Sequence, residues 1–411
     1  MDIGALGVGG VLFIALYFEV FLLISFFEQK PKKKTNRAPR RYPSVSIVVP
    51  CFNEEPTLAK TIYSLLSLRY PKEKLEVIVV DDGSTDNTRA IGERFAQTHQ
   101  QVRFFHKENG GKYTALNLGI KESGSELVGC LDADSFVAPD ALCEVIKRFE
   151  EHPETHAVVP AMHVYKPRRI LELMQAAEYT FGIFIKRTFD NLTAISVLPG
   201  PFSIYRREMF DRIGFFRHAH NTEDMEIAFR MHAHGLKIRN SHTASVYTTV
   251  PTTLRALLRQ RTRWSQGFLQ NSRDYSYMYA NPRYGHFGLL VLPFGLTMFF
   301  GALYAAGYIL YTTLFFLVQR VLDLATTGVP LALPQLPRLD WFFLETGVLT
   351  FLVCAMFAVT LFTMLIGKNI GKTNIGWGSL VAYFVLYGFV APLWLGKALW
   401  GALLARESAW R

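Results

Sequence analysis

Two long apolar stretches, residues 3–27 and 287–404, bracket a middle section, 28–286, of ordinary soluble composition. That distribution limits the fold more than any motif does. A run of about 20 apolar residues can cross a bilayer as a helix, whereas the middle section must bury a core of its own. The expected layout is a membrane helix at 1–28, a basic juxtamembrane linker at 29–43 and a soluble domain at 44–250. An interface helix within 251–281 and three membrane helices within 282–411 follow, with spans near 287–318, 342–366 and 376–400. The span at 287–318 is over-long, so it is expected to tilt or to contain an interfacial turn. Glu19, inside the first run, either faces other helices or a pore, or reaches toward headgroups.

Orientation follows from the charge. The net charge is +10, and part of it clusters at Lys30 to Lys34 and Arg37 to Arg41, after the first run. No positive residue precedes that run, the reverse of a secretory signal, so it reads as a retained helix with its amino end outside. The Pro-rich link Val329 to Pro337 is then expected outside, and Lys368 and Lys372 inside. Nucleic acid is not an expected partner, because no aromatic-basic interleaving accompanies the cluster. Cys51, Cys130, Cys143 and Cys354 form no Cys-x-x-Cys pair, and the first three, in the soluble section, read as buried, reduced thiols, which agrees with a cytoplasmic domain.

Within the soluble section strands and helices alternate. Strands are expected at Val45 to Pro50, Leu75 to Val80, Val102 to Phe105 and Leu127 to Leu131, and helices at Glu55 to Arg69, Asp86 to Gln97, Tyr113 to Lys121 and Pro139 to Glu151. The fold class is α/β, a mostly parallel sheet with helices on both faces. Leu127 to Leu131 runs into Asp132-Ala133-Asp134, whose carboxylates would point to one side of an extended chain. The carboxyl ends of such strands are where open α/β sheets bind ligands, and two carboxylates plus substrate phosphates suit Mg²⁺. Residues 167–190 have one apolar face between basic ends, which fits an amphipathic interface helix or a helix of the soluble core. Leu198 to Ser203 is turn-rich. Thr222-Glu223-Asp224 reads as a helix start, and Gln260, Arg263 and Trp264 share one face of a later helix. His218, His220, His232 and His234 form two His-x-His pairs; His232 and His234 diverge at i, i+2 on a helix, against a zinc site, and the first pair reads as a mobile loop ahead of Thr222.

These motifs together resemble the membrane-integrated family 2 glycosyltransferases, the group of cellulose, hyaluronan, chitin and poly-N-acetylglucosamine synthases. Asp81-Asp82-Gly83, Asp132-Ala133-Asp134, Thr222-Glu223-Asp224 and Gln260-Arg261-Thr262-Arg263-Trp264 occur in the family's order. Length and motifs are most similar to the poly-β-1,6-N-acetylglucosamine synthases. Two departures stand out. The sequence ends soon after its last apolar run, so the cyclic-dinucleotide domain of bacterial cellulose synthases is not expected. The base motif is Thr-Glu-Asp, where hyaluronan synthases have Gly-Asp-Asp.

The resemblance implies a glycosyltransferase A type domain inserted between membrane helices, and an inverting, metal-dependent, processive enzyme of the inner cell membrane. It would polymerise a UDP-sugar, UDP-N-acetylglucosamine first, and export the product. By that resemblance Asp81, Asp82, Lys112, Asp132, Gln260 and Arg263 bind the nucleotide-sugar. Asp134 with Asp132 binds Mg²⁺ or Mn²⁺, Asp224 beside Glu223 is the general base, and Trp264, Gly200 and Phe202 meet the acceptor. Implied partners are the donor, a growing polysaccharide or lipid acceptor, membrane lipid, and accessory membrane or export subunits. Rival readings are a non-processive glycolipid enzyme, a hyaluronan or glucan synthase, and an inactive transport or scaffold component. Structural readings of single residues also stand: Asp81 and Asp82 as turn formers, Asp224 as complement to a helix dipole, Trp264 as an interface anchor.

Overall fold

The computed structural model describes residues 3–28, 37–327 and 347–404. The basic cluster at Lys30 to Lys34 and the link at Val329 to Pro337 lie outside the described residues. In chain order the elements begin with α1 (Ile3–Glu28), β1 (Val45–Cys51), α2 (Leu58–Leu66), β2 (Leu75–Asp81), α3 (Thr88–Thr98), β3 (Val102–His106) and α4 (Lys112–Glu122). Next come β4 (Leu127–Cys130), β5 (Ser135–Val137), α5 (Ala141–Glu151), β6 (Thr155–Val164), α6 (Ile170–Asn191), β7 (Ser203–Arg206) and α7 (Glu208–Ile213). The chain continues through α8 (Glu223–Ala233), β8 (Lys237–Thr248), α9 (Leu254–Asp274), α10 (Leu292–Thr327), α11 (Val348–Gly371) and α12 (Trp377–Leu403).

The eight strands form one sheet in the order β3-β2-β1-β4-β7-β6-β8-β5. Four pairings are parallel and three antiparallel, so the sheet is mixed rather than mostly parallel. The parallel half follows from sequence. Every residue of β1 is buried, as expected of a strand covered on both faces, and alternate side chains enter two cores. Val45, Ile47 and Val49 meet Leu58, Ile62 and Leu65 of α2 and Leu142, Val145 and Ile146 of α5. On the other face Val48, Ile78 and Val80 meet Ala115, Leu116 and Ile120 of α4 and Ile227 and Met231 of α8.

Among the described residues four helices are long and apolar enough to cross a membrane: Ile3–Glu28, Phe287–Thr326, Val348–Gly371 and Trp377–Leu403. The second opens with a π-helical turn, Phe287–Val291, which adds to its length. The chain divides into two compact units, residues 1–24 with 294–362, and residues 25–293 with 363–411. In the first, Glu19 is 4% exposed and its Oε2 accepts from Thr360 Oγ1 at 2.9 Å. It therefore faces a neighbouring helix, not headgroups.

In the second unit α12 packs on α6 and α9, with Ala382 against Met174 and Leu257. The apolar face of α6 thus divides between the sheet domain and a membrane helix. The far end of α6 is tied down by Asp190, which is fully buried. Its carboxylate accepts from Arg148 Nη2 of α5 at 2.5 Å and from the Asn240 amide of β8 at 3.1 Å. Arg187 and Arg239 approach it at 3.5 and 3.6 Å.

Candidate active site

A cavity of about 770 Å³ opens among the β4–β5 turn, the 197–201 loop, α6, the start of α8, α9 and α12. Lys112, Asp132, Asp134, Gly200, Glu223, Asp224, Gln260, Arg263 and Trp264 all line it. Asp132 and Asp134 are placed by a tight turn, the Ser135 amide donating to Asp132 O at 3.0 Å, and not by an extended strand. Lys112, the first residue of α4, bridges two motifs. Its Nζ lies 2.6 Å from Asp132 Oδ1 and 3.4 Å from Glu223 Oε1. Burial alone would lower the lysine pKa, yet these carboxylates hold it well above the usual value. The cation thus joins the Asp132 turn to the base motif, and its charge is matched before any diphosphate arrives.

Gly200 is where the fit is closest. A Cβ there would stand 2.5 Å from Asp132 Oδ1 and 2.7 Å from Lys112 Nζ. Gly200→Ala is expected to push this pair aside and lower turnover by about 10²-fold, as for roughly 1 Å misplacements at reacting groups. Near-normal turnover in a folded Gly200→Ala protein would mean the pair need not hold its place.

Asp224 is the second residue of α8, where the helix dipole favours a carboxylate. Burial first, then Glu223, pushes its carboxyl up to about 6 against the pull of Lys112 and Arg263. That value suits a base working near neutral pH. The expected Thr222 side-chain cap does not form. Its Oγ1 instead donates to Ala219 O at 3.0 Å and accepts from Asn271 Nδ2 at 2.9 Å. Leu198 N donates to Asp224 O at 3.0 Å, joining the Pro199-Gly200-Pro201 turn to α8.

On α9, Arg263 Nη1 donates to Asn221 O at 2.6 Å, which holds the guanidinium beside the base motif. The buried Gln260 Oε1 has no hydrogen-bond partner among the described residues, so a ligand donor can take it. Trp264 is half-buried, and Arg261 stands 4.3 Å over its ring. Arg261 in turn bonds Glu178 Oε2 of α6 at 2.7 Å.

Three expected contacts are absent from the cavity. Phe202 is fully buried in the core with φ +64°, and its amide donates to Cys130 O at 2.7 Å, so its ring cannot meet an acceptor. Asp81 Oδ1 accepts from Ser84, and Oδ2 lies 2.7 Å from His106 Nδ1. Asp82 Oδ1 accepts from Lys107 Nζ at 2.6 Å and Gly110 N at 3.1 Å, and Oδ2 from Gly111 N at 2.9 Å. Both carboxylates are turned into the protein. Asp82 acts here through the loop it grips, whose Gly111 at φ +90° delivers Lys112. Asp82 Oδ2 carries one donor, so it keeps room for a further N–H.

Phe52, Glu54, Glu178, Tyr179, Lys186, Tyr383 and Tyr387 also line the cavity, and sequence reasoning did not single them out. Only Phe52 and Glu54 carried a signal, directly after the carboxyl end of β1. The His-x-His pairs are structural: His232 Nε2 lies 2.8 Å from Ile195 O and its ring stacks on Phe287. His220 Nε2 lies 2.8 Å from Asp274 Oδ2.

The β4–β5 turn fits a hard divalent cation. Burial first, then Asp132 and Glu54, push the Asp134 carboxyl up to about 6, so its charged form is poorly solvated and a cation would favour it. No group of three or more His, Cys, Asp or Glu forms a complete metal cage among the described residues. A cation here would draw on water or phosphate for its remaining ligands.

Residues 46–214 match the sequence model of Glycosyl transferase family 2. The poly-beta-1,6-N-acetyl-D-glucosamine synthase of Staphylococcus aureus (strain COL) is 30% identical over 260 residues, 62% of this chain and 63% of the relative. That of Staphylococcus epidermidis is 32% identical over 262 residues, with the same two shares. The match therefore spans just under two thirds of the length of these relatives. Among solved structures, mannosyltransferase PcManGT from Pyrobaculum calidifontis, in complex with GDP-Man and Mn2+, superposes with a TM-score of 0.63 at 20% identity. The superposition covers 97% of this chain and 100% of that one, and shows a shared fold, the glycosyltransferase A type mixed sheet.

Proposed function

We propose that this chain, whose residues 46–214 form a family 2 glycosyltransferase domain, is an inverting, metal-dependent synthase of a β-linked polysaccharide. The preferred donor is UDP-N-acetylglucosamine, the reading supported by the staphylococcal relatives. The observation that carries it is the meeting of the Asp132–Asp134 turn, Asp224 and the Gln260–Trp264 face in one cavity. In the proposed reaction an acceptor hydroxyl gives its proton to Asp224 as its oxygen attacks the anomeric carbon. The bond to UDP breaks on the opposite face, and Arg263 and Gln260 hold the departing diphosphate. Asp134, with Asp132, would hold Mg²⁺ or Mn²⁺, and a bound Mn²⁺ in the Pyrobaculum structure supports a divalent ion. Such an ion supplies charge neutralisation at the leaving diphosphate. Trp264, its ring fixed by Arg261, offers the acceptor a flat apolar face.

The four apolar helices and the basic residues after the first support a multi-pass protein of the cell membrane with its catalytic domain in the cytoplasm. Export of the growing chain, and any accessory subunits, belong to this proposal. Inverted membrane vesicles offered a panel of external UDP-sugars should release UDP and make polymer, and right-side-out vesicles should not. The reverse pattern would overturn the orientation, and silence in both would overturn the activity. Trp264→Ala should leave UDP affinity intact and sharply reduce polymer length. Unchanged length would remove the acceptor role, and a short lipid-linked product from the wild type would favour a glycolipid enzyme.

A further inference from the structure

Lys186 belongs to none of the motifs above, yet it lines the same cavity. Tyr179, Gly182, Ile183 and Lys186 stand at i, i+3, i+4 and i+7 along α6, and all four line that space. They form the cavity face of the helix. Gly182 has nothing within 4 Å of where its Cβ would be, so space lies open one turn before Lys186. The Lys186 ammonium has the Met162 thioether at 3.7 Å as its partner, and sulfur is a weak acceptor. It makes no ion pair among the described residues, whereas Lys107 and Lys112 of the same domain are each held by carboxylates. A half-buried ammonium whose partner is sulfur and not oxygen is left under-satisfied, and the cavity offers the place where a ligand can supply an oxygen.

Which ligand follows from the neighbouring charge. Burial pulls the ammonium down to about 8, and the one carboxylate that holds it up is Asp224, not those of the Asp132–Asp134 turn. Geometry agrees: the Asp132–Asp134 turn already has its cation in Lys112, 2.6 Å from Asp132 Oδ1, while among the described residues Lys186 pairs with neither carboxylate of that turn and shares the cavity with Asp224.

Resting on the glycosyltransferase reading, we propose that Lys186 binds the acceptor sugar by donating a hydrogen bond to an oxygen of the terminal residue held at Asp224. The attacking hydroxyl surrenders its own proton to Asp224, and Lys186 keeps its proton throughout. Three donors on a flexible stem can follow the acceptor as each new sugar takes the terminal place.

The test compares wild-type and Lys186→Met protein in inverted vesicles, at equal folded amounts, with an added oligosaccharide acceptor and the preferred UDP-sugar. Acceptor-dependent UDP release should fall about 10- to 100-fold, the loss expected for a hydrogen bond to a charged group. KM for the acceptor should rise and UDP affinity should not change. Lys186→Gln keeps a donor without the charge and should fall between, and it carries the comparison if the Met variant does not fold. Wild-type acceptor KM and rate in both variants would overturn the proposal. So would a loss of UDP affinity, which would assign the cation to the donor diphosphate. Absence of UDP release from the wild type would instead bring down the underlying activity.

Discussion

Asp224→Asn is expected to lower sugar transfer at least about 10²-fold while UDP affinity stays near wild type. The substitution keeps size and hydrogen-bonding shape and removes basicity, so it separates proton removal from binding. The wild-type rate should also show an acid limb near pH 6. Burial and Glu223 raise the Asp224 carboxyl to about that value, so below it the carboxyl already holds a proton and cannot accept another. Above it the carboxylate is free to act. Rate against pH, with UDP binding followed in parallel, checks both statements. Near-normal turnover in Asp224→Asn would move the base elsewhere, and a rate flat through pH 6 would separate the limb from Asp224.

The largest expected effect on stability lies at Asp190. Asp190→Ala removes the fully buried carboxylate shared by Arg148, Arg187 and Arg239, and leaves Arg148 and Arg239 only the more exposed Glu151 and Glu154. Breaking a buried ion pair costs about 3–5 kcal/mol when the partner charge is left unpaired; with Glu151 and Glu154 still in reach, the expected loss is about 3 kcal/mol. The damage should extend to activity, since the same helix carries Tyr179 and Lys186 into the cavity. Thermal unfolding of the detergent-purified protein reads the first effect as a lowered midpoint. An unchanged midpoint would show that the cluster does not hold the end of α6.

The half of the sheet that reads clearly in the sequence does so for a physical reason. β1 and β2 are buried on both faces, so they appear as near-continuous apolar runs. β6 and β8 were not legible. They carry His156, His163, Arg239, Asn240, Ser241 and His242, and their pairing is broken by register shifts at Thr155/Ala157 and Pro160/Ala161. The polar positions are satisfied only in the assembled fold, as where Asn240 meets Asp190. The site divides in the same way. Motif spacing singled out Asp134, Asp224 and Trp264. It could not show that Asp82 faces Lys107 and the glycine amides, nor that Arg261 finds Glu178, 83 residues away.

The seam between α12 and helices α6 and α9 bears on how such a protein can be handled. Tyr383 and Tyr387 of α12 form part of the cavity wall, and the same helix covers Met174 and Leu257. A water-soluble fragment cut short of α12 would expose that seam and lose one side of the reaction space. On the proposed reading lipid and catalyst share a boundary here: a shift of α12 in its bilayer would also redraw the room in which the sugar turns.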